Sequence, residues 1–177
     1  MSATKDMLGL WRAAAAALAA SNGAELPRDV LDELFVLQNE LRKELFEGDV
    51  LPTPHEPRVG FVLDALEVLS LSAPDDPSHP WARGGVLASL GRHLEAADDY
   101  LVAARGFERE AQRGDGATGD EDEWAKSSYW HAARNLALGG QPAAAATLLR
   151  SLAPADRAEV ADLVEESLAR LERSAGS

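Results

Sequence analysis

The chain reads as an all-α protein of about eight helices arranged as antiparallel hairpins. Three observations predict this. Ala (33) and Leu (26) make up one third of the 177 residues, whereas there is no Ile and only 10 Val and 4 Thr. Strands are built from β-branched residues, so an all-β fold is excluded and a parallel α/β sheet is disfavoured. Apolar residues recur at helical spacing rather than in alternation. Pro and Gly cut the chain into helix-sized pieces with short connections, which set consecutive helices antiparallel. An apolar content of 46% is enough for a core.

Each expected element has a local reason. A first helix over residues 3–21 carries Met7, Trp11, Ala14 and Leu18 on one stripe, and Asn22-Gly23 stops it. Pro27 suits the first position of a second helix, with Asp29 in its first turn. Leu34, Leu37, Leu41 and Leu45 share a face there, and Gly48 ends it. Three prolines make residues 51–57 a loop. A third helix follows with Val59, Val62, Leu66 and Leu69 on one side, until the stretch Pro74-Asp75-Asp76-Pro77. A fourth starts at Ser78, a capping residue, accepts Pro80 in its first turn and ends at Gly91. The fifth runs from Arg92 to Arg113, with Ala96, Tyr100, Ala103 and Phe107 inward. A Gly- and Asp-rich loop over 114–123 leads to a sixth helix over 122–138, closed by Gly139-Gly140. Pro142 opens a seventh that reaches Leu152. Pro154 opens the eighth, with Asp156 and Glu159 in its first turn and Val160, Leu163, Ser167 and Leu171 as its buried face.

Charge narrows the partners. The net charge of −13 repels a phosphate backbone and an anionic membrane surface, and favours a partner with a basic segment. There is no Cys, so disulfides, thiolate metal sites and Cys nucleophiles are excluded. The longest apolar run, Ala13–Ala20, is too short to span a membrane. Arg12 and Asp6 spoil the pattern of a secretion signal, so a cytoplasmic protein is expected.

The stretch Trp81–Ala103, WARGGVLASLGRHLEAADDYLVA, resembles the helix–turn–helix of a tetratricopeptide repeat. Gly84 and Ala96 stand at the small positions that let the two helices approach, and Leu87 and Leu90 fill the first helix. Gly91 makes the turn, and Tyr100 and Ala103 complete the second helix. Arg83 departs from the pattern, where Leu is usual, and the early Trp is shifted by one position. A second copy covers Tyr129–Leu152 with its turn at Gly140, Ala133 and Ala145 small, and Leu136, Leu149 and Leu152 filling; Gly139 stands where Leu is expected. The turns lie 49 residues apart, against a period of 34 for the family. The extra residues fit the 114–123 loop. The resemblance covers under half the chain. It implies a short superhelix of stacked hairpins over residues 78–177, closed by a C-terminal capping helix. Residues 1–73 would form a diverged repeat or a cap, the whole read as one continuous domain.

The resemblance also implies a function: a protein- or peptide-binding adaptor whose concave groove is lined by the first helix of each hairpin. Trp81, Gly85, Ala88 and Ser89 would line it from one copy, and Trp130, Arg134 and Ala137 from the other. The partner-binding residues this implies are Trp81, Ser89, Trp130 and Arg134, with no catalytic residue, cofactor or metal expected. A chaperone for a secreted protein is one alternative, and an all-α metal-dependent nucleotide hydrolase is another. For the hydrolase, Glu44, Glu47, Glu95 and Asp98 imitate paired carboxylates, but a Pro-rich loop separates the two pairs. His55, His79, His93 and His131 show no metal-ligand spacing. The loop from Asp115 lacks the calcium-ligand pattern, and no nucleophile-elbow or phosphate-loop motif occurs.

Overall fold

A computed structural model describes residues 9, 26–46, 52–53, 56–114, 119–149, 152 and 154–175. The expected helix over 3–21 and its Asn22-Gly23 stop lie outside these residues. So do Gly48, His55, residues 115–118 of the acidic loop, and the side chains of Asp156 and Glu159. The described residues form seven α-helices and no strand: α1 (Arg28–Phe46), α2 (Pro57–Ser72), α3 (Ser78–Ser89), α4 (His93–Arg113), α5 (Glu121–Leu138), α6 (Pro142–Leu148) and α7 (Pro154–Ala175). The chain divides into two compact units, Met1–Pro74 and Asp75–Ser177. Among the described residues no helix is long and apolar enough to cross a membrane.

In the first unit α1 pairs with α2. Pro27 stands one residue before α1, and its carbonyl accepts the Val30 and Leu31 amides. Leu34, Leu41 and Leu45 are buried as the stripe requires, and Leu37 is half-buried. Gln38 is buried with them at 1% exposure, its amide donating to the Phe35 carbonyl at 3.1 Å. Pro57 opens α2, which buries Val59, Phe61, Val62, Ala65, Leu66 and Leu69. Arg58 ties the hairpin by bonding both Glu56 and, at 2.6 Å, Glu44 of α1.

In the second unit Pro77 stands at the N-cap position of α3. Ser78 does not cap α3 with its side chain: the Asp76 carboxylate accepts the Ser78 amide at 2.9 Å instead. Asp76 lies two residues upstream, where an Asx-type turn can form, so the stronger acceptor takes the role. Two hairpins then close with the same geometry. Gly91 (φ 73°) donates to the Ala88 carbonyl and Arg92 to Leu87. Gly140 (φ 78°) donates to Ala137 and Gln141 to Leu136. Each is a Schellman turn whose left-handed residue favours glycine. The residue after each turn glycine then accepts the first helical bond of the next element, Ala96 onto Arg92 and Ala145 onto Gln141.

The helices α3, α4, α5, α6 and α7 pack in sequence, with α7 also resting on α5. Their contact faces are dominated by Ala: Ala96, Ala97, Ala103 and Ala104 on α4, and Ala125, Ala132, Ala133 and Ala137 on α5. Small contact residues allow close interaxial approach. A C-terminal cluster joins Ala133, Ala137, Ala145, Leu152, Val160 and Val164. Position 139 lacks the expected Leu because Leu94 fills its place. A Cβ on Gly139 would lie 2.6 Å from Leu94 Cδ2. Two further expectations fail. Regular α6 stops at Leu148, short of Leu152. Leu171 is 48% exposed, because the cluster takes only Val160, Leu163 and Val164 from the 22-residue α7, leaving its last turns uncovered.

Candidate functional site

The equivalent turns place Trp81 of α3 and Trp130 of α5 at the same distance before their glycines. A row of rings joins them. His131 stacks on Tyr100 of α4, with ring centres 4.8 Å apart and planes 15° apart. It meets Trp130 edge-on at 4.7 Å and Trp81 edge-on at 6.4 Å. Trp81 continues to Trp124 at 5.4 Å, and Trp124 stacks on Phe107. Such offset and edge-on pairs add about 0.5–1.5 kcal/mol each beyond the area they bury. The row therefore fixes α3, α4 and α5 as well as presenting a surface. Trp81, Trp130 and His131 are half-buried, and Trp124 is 40% exposed.

Two glycines shape the floor of this surface. A Cβ on Gly84 would sit 3.2 Å from three Tyr100 ring carbons, so the ring lies directly against the α3 backbone. The expected partner of Gly84 was Ala96. The atoms nearest to a Cβ there belong to the Tyr100 ring, one turn further along α4. A Cβ on Gly85 would stand 3.6 Å from the Tyr100 hydroxyl. With glycine there, no side chain of α3 covers that oxygen from this position. Tyr100 as a whole is 4% exposed.

Charge surrounds the rings. The Arg134 guanidinium lies 6.0 Å from the Trp130 ring centre, at cation–π distance. Arg83, the departure from the repeat pattern, pairs with Asp99 of α4 at 3.2 Å. Burial pushes the Tyr100 phenol up to about 12, with Arg134 opposing and Asp99 adding to the rise. The phenol is therefore a donor throughout the physiological range. Burial pushes His131 below its ordinary value, and the Arg134 charge lowers it further, so the ring is neutral at pH 7.

The structure brings Trp81, Trp130 and Arg134 into one cluster. Ser89 lies eight residues beyond Trp81 on α3, about 12 Å along the axis, and its exposed hydroxyl donates to the Gly85 carbonyl. Ala137, expected in the groove, is fully buried in the C-terminal cluster, because its face of α5 meets α6 and α7. Gly85 and Ala88 are half-buried. Tyr100 and His131 were not foreseen as surface-forming residues. The available signal was Gly84-Gly85 itself: two helix-interior glycines cost about 1 kcal/mol each against Ala, which calls for a steric reason.

The remaining features are less built. A shallow depression of about 370 Å³ lies between the two turns, lined by Gly91, Arg92, His93, Leu94 and Glu95 with Leu138 and Gly139. His93 Nδ1 lies 2.9 Å from Asn135 Oδ1 beside it. Among the described residues no group of three or more His, Asp or Glu converges. Glu44 is tied to Arg58 and Glu95 to Arg92, while Glu47 lies outside the described residues. No family model, no curated protein and no solved structure matches the chain.

Proposed function

We propose that the chain is a non-catalytic protein- or peptide-binding module, its second unit a short stack of tetratricopeptide-like hairpins that docks a partner segment across α3 and α5. The observation that carries this reading is the pair of half-exposed indoles, Trp81 and Trp130, at matching positions before two matching turns, with Arg134 beside them. Corresponding faces of stacked hairpins merge into one surface. Aromatics and Arg are the side chains that most often anchor a partner. Exposed Glu95, Asp98, Asp122 and Glu123 and the net charge of −13 favour a segment rich in Lys or Arg and speed its encounter.

The test is a titration with an amidated amphipathic Leu/Lys peptide and its Leu/Glu counterpart. The basic peptide is expected to bind and the acidic one not. Trp130→Ala should weaken binding about tenfold or more, as for an interface anchor. Trp130 also packs against the C-terminal cluster, so this variant loses part of the 3–5 kcal/mol of a fully buried Trp and is assayed well below its melting temperature. Equal binding of both peptides, or unchanged affinity in the folded variant, would overturn the reading.

A further inference from the structure

We propose that the trough between α3 and α5 takes an extended, proline-rich segment with basic residues, and that a backbone carbonyl of this segment accepts from the Trp81 indole. The inference rests on the docking reading above and narrows its occupant. The Trp81 indole N–H carries it. This donor is shielded from solvent and has no acceptor among the described residues. A buried donor left unpaired is unfavourable, so native proteins seldom keep one without a reason. Its ring neighbours are Trp124 at 5.4 Å, His131 at 6.4 Å and Tyr100 at 6.5 Å, all edge-on. Trp124 is 40% exposed, the most open of the three. It is the ring that turns aside to admit an acceptor.

The surroundings select the occupant. The helices α3 and α5 each pack on α4, and Trp81 reaches across to the α5 rings. One and two turns beyond Trp81 on its own face, α3 carries only Gly85 and Ala88, both half-buried. The space beside the indole is therefore low-walled. A helical occupant would bring apolar side chains, but all except its last four carbonyls are bonded within the helix. An extended polyproline-type segment has no internal hydrogen bonds, so every carbonyl is free to accept. Its proline rings suit an aromatic-lined groove. Two of its residues advance about 6 Å, the scale of the 4.7 to 6.4 Å steps from Trp130 through His131 to Trp81 and Trp124. The described residues hold no strand, so an extended partner has no sheet edge to join. The net charge of −13, with Asp122 and Glu123 exposed beside Trp124, calls for Lys or Arg in the segment.

The probes are three amidated peptides of equal positive charge: a proline-rich one with Lys, its counterpart with Ala for every Pro, and the amphipathic Leu/Lys peptide. Binding is followed by NMR of the indole N–H groups. The proline-rich peptide should bind about tenfold or more tighter than either of the others, the scale of one recovered hydrogen bond. It alone should move the Trp81 N–H signal downfield, as that donor gains a carbonyl. Trp81→Phe keeps an aromatic ring and removes the donor. It should weaken the proline-rich peptide about tenfold and the Leu/Lys peptide by less. The Trp81 signal of the unaltered chain tests the same contact without relying on how well that variant folds. Equal binding of the Pro and Ala peptides, proline-rich binding with the Trp81 signal unmoved, or an affinity within about twofold in the folded variant would overturn the inference. Tightest binding by the Leu/Lys peptide would assign the trough to a helix, overturning this inference while the docking reading stands. Binding by none of the three would overturn both.

Discussion

At the residue scale, two histidines couple folding to pH. Burial lowers both His79 and His131; Asp76 opposes the shift at His79, and Arg134 deepens it at His131. The folded chain therefore releases these protons at a lower pH than the unfolded chain, whose value is about 6.5. Their contribution to stability is complete above that value and is lost as pH falls through it toward the lowered folded values. The slope reaches about 1.4 kcal/mol per pH unit for each histidine that is neutral folded and protonated unfolded. Urea midpoints should thus fall between pH 7.5 and pH 5.5, and His79→Gln with His131→Gln should flatten that fall. An unchanged slope in the double variant would show that neither ring is the titrating group. Glu95, held below the carboxylate range by Arg92, loses its contribution only at still lower pH and does not blur the window. Tyr100 marks how far single residues were legible. Its spacing on the fifth helix reads correctly as inward, but which side chain it meets depends on Gly84 of the neighbouring helix. Helical periodicity says nothing about that pairing.

At the element scale, the turns carry the most transferable information. Gly91 and Gly140 sit in the same left-handed conformation with the same pair of capping bonds. Gly91→Ala and Gly140→Ala should each cost about 1 kcal/mol, the penalty of a Cβ in that region. The sites are on separate turns, so the double variant should show the sum of the two costs. A difference of more than about 1 kcal/mol between the singles in denaturant melts would contradict the equivalence of the turns. Gly106 makes a stricter test of packing, because a Cβ there would meet the Pro77 Cβ at 2.6 Å. Gly106→Ala is a favourable change for an exposed helix position, yet it should destabilise here by about 1–3 kcal/mol. Most helix limits were legible because Pro and Gly act locally through φ. The misses were non-local or competitive. Asp76 displaced Ser78 as the acceptor, Leu94 took the space of a residue at 139, and Leu171 ran past the cluster that covers the start of α7.

At the scale of the whole molecule, the all-helical class follows from an Ala- and Leu-rich chain without Ile, and the described residues hold no strand. The candidate surface was only half legible. Trp81, Trp130 and Arg134 could be placed together from the repeat spacing, whereas the ring row through Tyr100 and His131 needed the stacking of α3, α4 and α5. All of those residues, and both the Phe107–Trp81 and the C-terminal clusters, belong to the second unit, Asp75–Ser177. A unit of about 100 residues is large enough to bury a core of its own. Residues 75–177 produced alone should therefore unfold in one cooperative transition and keep the near-ultraviolet dichroism of the packed Trp and Tyr rings. A gradual melt with that dichroism lost but helical signal retained would show a loosely packed state instead. That outcome would show that residues 75–177 do not hold their rings in place on their own.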